Sequence, residues 1–227
     1  MRVGNQAALQ ELAERIAQAD AVVIGGGSGL SSAAGYDHYH WSPALSEALA
    51  PFREQYGFTS PLAGFYHCFS SYGEQWGYYS QYIRFMWEAP TGQPYLDLQA
   101  LVADKPAFVL ITNVDQQFFR VFPQKQICAF QGDFSYCQCS QPCRDDIWEN
   151  RELVKELTGC LVGVRLPEEA VPRCPDCGRV LVPWVRDDTF LEGTFWQDSL
   201  HRYHRFLRHW IMDQSDKKVL LLELGVG

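Results

Sequence analysis

The stretch from Ala21 to Gly35, AVVIGGGSGLSSAAG, decides how this chain folds. Its first four residues, Ala21 to Ile24, are apolar and mostly β-branched, and such a run reads as a buried strand. Five glycines fall in the next eleven residues: Gly25, Gly26, Gly27, Gly29 and Gly35. Without a Cβ, a backbone can bring its N–H groups close to a ligand's phosphates. Ser31 to Ala34 then start a helix, whose N-terminus carries roughly half a positive charge. Strand, glycine turn and helix start make an anion cradle. The spacing departs from G-x-G-x-x-G, so a tight strand-to-helix turn without a ligand is the competing reading.

Outward from this stretch, the pattern repeats strand and helix. Asn5 is placed to cap a first helix with Leu9, Leu12, Ala13 and Ile16 on one face. Residues 41–56 and 95–104 read as helical. Ala107 to Ile111 (AFVLI), Gln126 to Phe130 and Val219 to Leu224 (VLLLEL) read as further strands. In residues 193–212, Trp196, Leu200, Tyr203, Leu207 and Trp210 share a helix face, with His201, His204, Arg205 and Arg208 on the solvated side. Strands separated by helices predict an α/β fold with a doubly wound parallel, Rossmann-like sheet. Residues 61–89 are dense in aromatics. They read either as a helical layer packed on the sheet or as part of a groove wall.

The 227 residues carry a net charge of −8 and no Lys/Arg-rich run, so a nucleic-acid partner is not expected. No stretch is long enough to cross a membrane, and the N-terminus lacks an apolar leader core, which predicts a cytoplasmic protein. In that compartment the eight cysteines read as reduced thiols and metal ligands. Between Phe130 and Pro183 the hydrophobic period fades and cysteines cluster, which marks a small module spliced into the larger domain; residues 145–159 within it read as a polar, helical insertion. Cys174 and Cys177 have the spacing of two thiolates sharing one metal. Any two of Cys137, Cys139 and Cys143 complete a tetrahedral site, and Cys139 with Cys143 is the preferred pair. Four protein ligands leave no position for water, so a structural zinc is expected. Cys68, Cys128 and Cys160 read as buried thiols.

With these residues in place, the chain resembles the sirtuins, NAD-dependent protein deacylases and ADP-ribosyltransferases. Gly27-Ser28-Gly29-Leu30-Ser31, with Gly35 after it, is similar to their G-A-G-x-S…G phosphate loop. Thr112-Asn113-Val114-Asp115 is similar to Q-N-I-D, Gln131-Gly132-Asp133 stands where they have H-G-x, and Gly225 lies near their G-T-S segment. The resemblance implies an NAD-binding domain over residues 1–130 and 179–227, with a zinc module over 131–178. It implies NAD binding by Gly25, Gly27, Ser28, Gly29, Leu30, Ser31, Gly35, Thr112, Asn113, Val114, Asp115 and Gly225. Asn113 would hold the ribose, Asp115 the nicotinamide amide, and Gln131 the ribose hydroxyls or the acceptor, which makes Asn113, Asp115 and Gln131 the catalytic candidates.

The departures narrow the resemblance. Gln131 replaces the usual histidine, Arg186-Asp187-Asp188 replaces a V-x-F-G-E run, and Tyr36-Asp37-His38-Tyr39 replaces I-P-D-F-R. Together they are similar to the macrodomain-linked microbial sirtuins. That likeness implies mono-ADP-ribosylation of a lipoylated carrier protein of the glycine-cleavage H type, and a partner macrodomain hydrolase. A sirtuin sheet would continue past Gly227, which suggests a truncated chain. The chemistry agrees with the departures. A carboxamide exchanges no proton near neutral pH, so base-assisted deacylation is disfavoured. A carboxylate acceptor, ionising near ~4, is already a nucleophile. A glycohydrolase or weak deacylase, or an inactive NAD- or ADP-ribose-binding module, are the alternatives.

Overall fold

The computed structural model describes residues 3–214 and 216–226, and side chains from residue 6 onward; Gly227 lies outside them. Helix α1 (Val3–Gln18) includes Asn5, so this residue is not its cap. Strand β1 (Ala21–Gly26) is longer than expected and runs into α2 (Ser28–Ala33), which begins three residues before Ser31. Residues 41–56 form two short helices, α3 (Pro43–Ala48) and α4 (Ala50–Tyr56), each with a proline in its first turn. The aromatic stretch forms α5 (Pro61–Phe65) and α6 (Tyr72–Glu88). Ser60 and Ser71 cap them by accepting from the backbone N–H of Ala63 and Glu74. There follow α7 (Gln93–Leu101), β2 (Ala107–Ile111), α8 (Gln117–Val121) and β3 (Ile127–Ala129).

The cysteine-rich part contains β4 (Gly132–Cys139), β5 (Ile147–Glu149), α9 (Arg151–Gly159) and β6 (Leu181–Val185). The polar insertion is thus a short strand plus a helix. Helix α10 (Thr194–Leu207) continues as a turn of π-helix to Asp213, and β7 (Val219–Leu224) ends the sheet.

Two sheets result. The first is parallel, in the order β3-β2-β1-β7, with Val22 opposite Ala107 and Leu220. Its strands read as apolar runs in the sequence; the inner strands β1 and β2 are buried on both faces, while β7 at the edge is only partly buried. The second is antiparallel, in the order β5-β4-β6. It draws in residues 181–185, beyond the expected end of the module at 178. A large aromatic core, with Trp76, Tyr78, Tyr82 and Phe134 fully buried, joins α6 to the antiparallel sheet. The Trp76 indole donates to the Leu181 carbonyl at 2.7 Å across that junction. A second core of Val22, Ile24, Val109 and Ile111 lies under the parallel sheet with α7 and α8. No helix among the described residues is long and apolar enough to cross a membrane.

Candidate functional site

The site lies where β1 and β2 end. Gly27 and Gly29 turn the chain from β1 into α2, and the turn is closed by the end of β7. The Gly27 N–H donates to Leu224 O and the Gly29 N–H to Gly225 O, both at 2.9 Å. Gly225 has φ of +63°, and a Cβ there would lie 2.2 Å from the Leu30 nitrogen, so only glycine fits. Gly25 sits inside the strand, paired with Leu110 and Glu223, and Gly35 ends the turn after α2 with φ of +90°. Leu30 is buried in the core under the sheet.

Beyond β2, Thr112, Asn113 and Val114 form one wall of a cavity of about 90 Å³. Ser28, His38, Tyr39, Tyr66, Tyr82 and Gln131 are among its other lining residues. The structure therefore brings together five residues expected from the sequence: Ser28, Thr112, Asn113, Val114 and Gln131. Asn113 is buried, and its amide donates to Gly27 O at 2.9 Å and to the Tyr95 hydroxyl at 3.3 Å. Gln131 is exposed at the cavity edge. Its backbone is pinned, because its carbonyl accepts from the Arg186 N–H at 3.0 Å. The Arg186 guanidinium lies over the rings of Phe130, Phe190 and Trp196 and pairs with Glu192. The aromatic stretch serves in both of its expected ways: Tyr78 and Trp76 are core, while Phe65, Tyr66 and Tyr82 also line the cavity.

Asp115 is fully buried behind the cavity wall. It accepts from Ser31 Oγ, from the Tyr95 hydroxyl at 3.3 Å and from the Gln117 N–H at 3.2 Å. Burial acts to raise its pKa, but His38, Ser31 and the Gln117 amide outweigh that and hold the carboxyl below its usual range. Asp133, two residues past Gln131, behaves in the opposite way. Burial pushes it up to about 7, against the opposing bonds from Ser135 and the Gln116 N–H.

Sequence reasoning missed His38 as a site residue. It lies in an irregular loop, and its partners Tyr82 and Asp115 are distant in sequence, so no periodic signal marks it. The only hint is that its segment replaces a recognisable family motif.

The second site is the cysteine cluster. Cys139, Cys143, Cys174 and Cys177 hold their sulfurs within 4.8 Å of one another. The Cys139–Cys177 and Cys143–Cys174 sulfurs are 3.5 and 3.6 Å apart. Four thiolates at about 2.3 Å from a tetrahedral zinc would stand about 3.8 Å apart, so the donor set fits that ion. The Arg179 N–H draws the Cys177 thiol down, while the neighbouring sulfurs push Cys143 up and burial pushes Cys139 up. Cys137 stays apart, buried against the Trp148 carbonyl. Cys128 is buried as expected, whereas Cys68 and Cys160 are exposed because they fall on surface turns. A wider hollow of about 610 Å³ runs along α10, lined by Asp198, His201, Arg202, His204, Arg205 and Arg208. Its lining comes from one helix and its immediate continuation, so no second element closes it into a site.

With this geometry in hand, comparison with known proteins is informative. No family model matches the chain. It is 31% identical over 216 residues to a protein ADP-ribosyltransferase of Staphylococcus aureus, covering 93% of this chain and 67% of that protein. It is 28% identical over 232 residues to a probable bifunctional ADP-ribose hydrolase/ADP-ribosyltransferase of Fusarium oxysporum f. sp. cubense, covering 98% of this chain and 38% of that one. In fold it is similar to a Sir2 homologue solved with NAD (TM-score 0.51, 15% identity, 88% and 68% of the two chains). It is also similar to a structure described as the structural basis of sirtuin substrate affinity (TM-score 0.56, 17% identity, 96% and 77%).

Proposed function

The chain belongs to the sirtuin family of protein ADP-ribosyltransferases, and from that premise we propose that it is an NAD-dependent mono-ADP-ribosyltransferase acting on a lipoylated carrier protein of the glycine-cleavage H type. The observation that carries this reading is an uncharged amide, Gln131, lining the cavity together with Asn113. An amide cannot relay a proton at neutral pH, so the site suits an acceptor that needs no deprotonation. A carboxylate is such an acceptor. The nucleotide's glycosidic C–N bond breaks, its electron pair leaves with neutral nicotinamide, and the acceptor carboxylate forms the new C–O bond.

In this reading Asn113 orients the ribose and Gln131 the ribose hydroxyls or acceptor, while Asp115, expected from the resemblance to touch the nicotinamide amide, is buried behind the wall and braces it through Ser31 and Tyr95. The four clustered cysteines hold a structural zinc, which supplies folding energy and no chemistry. The reducing compartment that keeps those thiols free is the cytoplasm. The same resemblance implies a partner hydrolase of the macrodomain class that removes the mark; the Fusarium relative is itself described as both ADP-ribose hydrolase and ADP-ribosyltransferase.

Labelled NAD, incubated with the protein and with lipoylated or unlipoylated carrier, tests the reading. Label is expected on the lipoylated carrier alone, and Asn113→Ala is expected to abolish it. Nicotinamide release with neither carrier labelled would establish a glycohydrolase instead.

A further inference from the structure

His38 places an imidazole in a cavity whose expected histidine is missing, which raises the question of whether it stands in as a base. Its surroundings answer that. The ring is buried, and its Nδ1 lies 2.5 Å from the Tyr82 hydroxyl. Tyr82 is fully buried on α6, and burial raises its pKa well above that of a free phenol, so it keeps its proton. Among the described residues, Nδ1 of His38 is the one partner found for that hydroxyl. If Nδ1 carried a hydrogen, the phenol proton would be stranded in the core, and a buried unmade hydrogen bond costs about 1–3 kcal/mol. The other side of the ring agrees. Nε2 is buried, has no hydrogen-bond partner and faces Asp115 Oδ2 at 3.8 Å. A bare lone pair on Nε2 would be set against that carboxylate, whereas an N–H there is attracted to it.

We propose that His38 is a positioning residue that holds a fixed N–H dipole toward Asp115: Tyr82 selects the tautomer with the hydrogen on Nε2, and that N–H, 3.8 Å from Oδ2 and so beyond hydrogen-bond reach, steadies the carboxylate electrostatically behind the cavity. The ring is thereby closed to proton abstraction. The site contains an imidazole yet still lacks a general base. Its kinetic consequence rests on the transferase reading above; the tautomer itself does not.

Two measurements test it. Ring ¹⁵N and ¹³C spectra of the ligand-free full chain at pH 8 are expected to show His38 with Nδ1 unprotonated, and Tyr82→Phe is expected to release that preference. A hydrogen on Nδ1 overturns the proposal, whether or not any transfer is seen. In the transfer assay, His38→Gln retains an N–H near the position of Nε2 but cannot titrate. Its kcat is expected within about threefold of wild type with an unchanged pH profile, while His38→Ala, which removes the N–H altogether, falls by about tenfold. Thermal melts identify variants that fail to fold. Folded His38→Gln as inactive as folded His38→Ala overturns the proposal and makes the imidazole a base. Absence of transfer in the wild type counts against the transferase reading and leaves the tautomer to be decided by the spectra.

Discussion

The parallel and antiparallel sheets are held by different means. While the edge strand β7 leaves Leu221 exposed, the inner strands of the parallel sheet, β1 and β2, are apolar and covered on both faces, with Ala21, Val22, Ile24 and Val109 fully buried. The far end of the antiparallel sheet rests on chain that cannot do this. Residues 140–146 and 172–180 are loops and turns with few apolar side chains, and four sulfurs converge there instead. Hydrophobic burial is spread along a strand and survives the loss of one contact. A four-ligand centre gathers its stabilisation at one point, so losing one ligand removes most of it. With a metal held by those four sulfurs, one chain would combine a distributed core with a point clamp.

The largest expected effect breaks the clamp. Chelation, or Cys174→Ser, is expected to remove on the order of 10 kcal/mol of apparent stabilisation from the module. Hydrogen exchange is then expected to rise across β4–β6 and stay slow in β1 and β2. Equal loss of protection in both sheets would erase the distinction drawn here.

A smaller effect comes from Asp133 at the start of β4. Its pKa is raised to about 7 in the folded protein. The folded state therefore keeps a proton that the unfolded chain gives up near pH ~4, and stability falls as pH rises from there toward 7. The slope is up to about 1.4 kcal/mol per pH unit. Asp133→Asn is expected to flatten it, which denaturant titrations at pH 5, 6 and 8 would measure.

The smallest effect belongs to the glycine turn. Gly225→Ala places a side chain at φ of +63° and against Leu30. The φ alone is expected to cost about 1–2 kcal/mol, and the Gly29 and Leu30 backbone must shift besides, with β7 and the start of α2 loosening together. A melt unchanged from wild type would mean that the turn is not tied to β7.

The same contrast explains what could be read from the sequence. Apolar runs located the strands of the parallel sheet; for β1 and β2 burial on both faces explains the continuous signal, whereas the β7 run is only partly buried. The four clustered cysteines were legible from spacing; Cys137 shares a strand face with Cys139 but lies two residues deeper in the sheet, buried against the Trp148 carbonyl, while Cys139 at the strand end reaches the cluster. The pairing of β4 with β6 was not legible, since their residues are separated by the whole cysteine loop. Nor was His38. Its role depends on a tyrosine from α6 and an aspartate from the end of β2, three segments that meet only in the folded chain. The cavity residues Thr112, Asn113 and Val114 were visible only through the resemblance of Thr112-Asn113-Val114-Asp115 to the family's Q-N-I-D motif; their place after a strand end would by itself have read as a turn.

The hydrogen bonds that tie Gly27 and Gly29 to Leu224 and Gly225 have one more implication. Those two amides already answer to carbonyls of the same polypeptide, and a tethered competitor acts at an effective concentration that dissolved anions rarely reach. A phosphate seeking them must first pry the turn from the last strand. Anion affinity at this loop is therefore governed remotely, by how tightly β7 stays seated at the margin of the sheet.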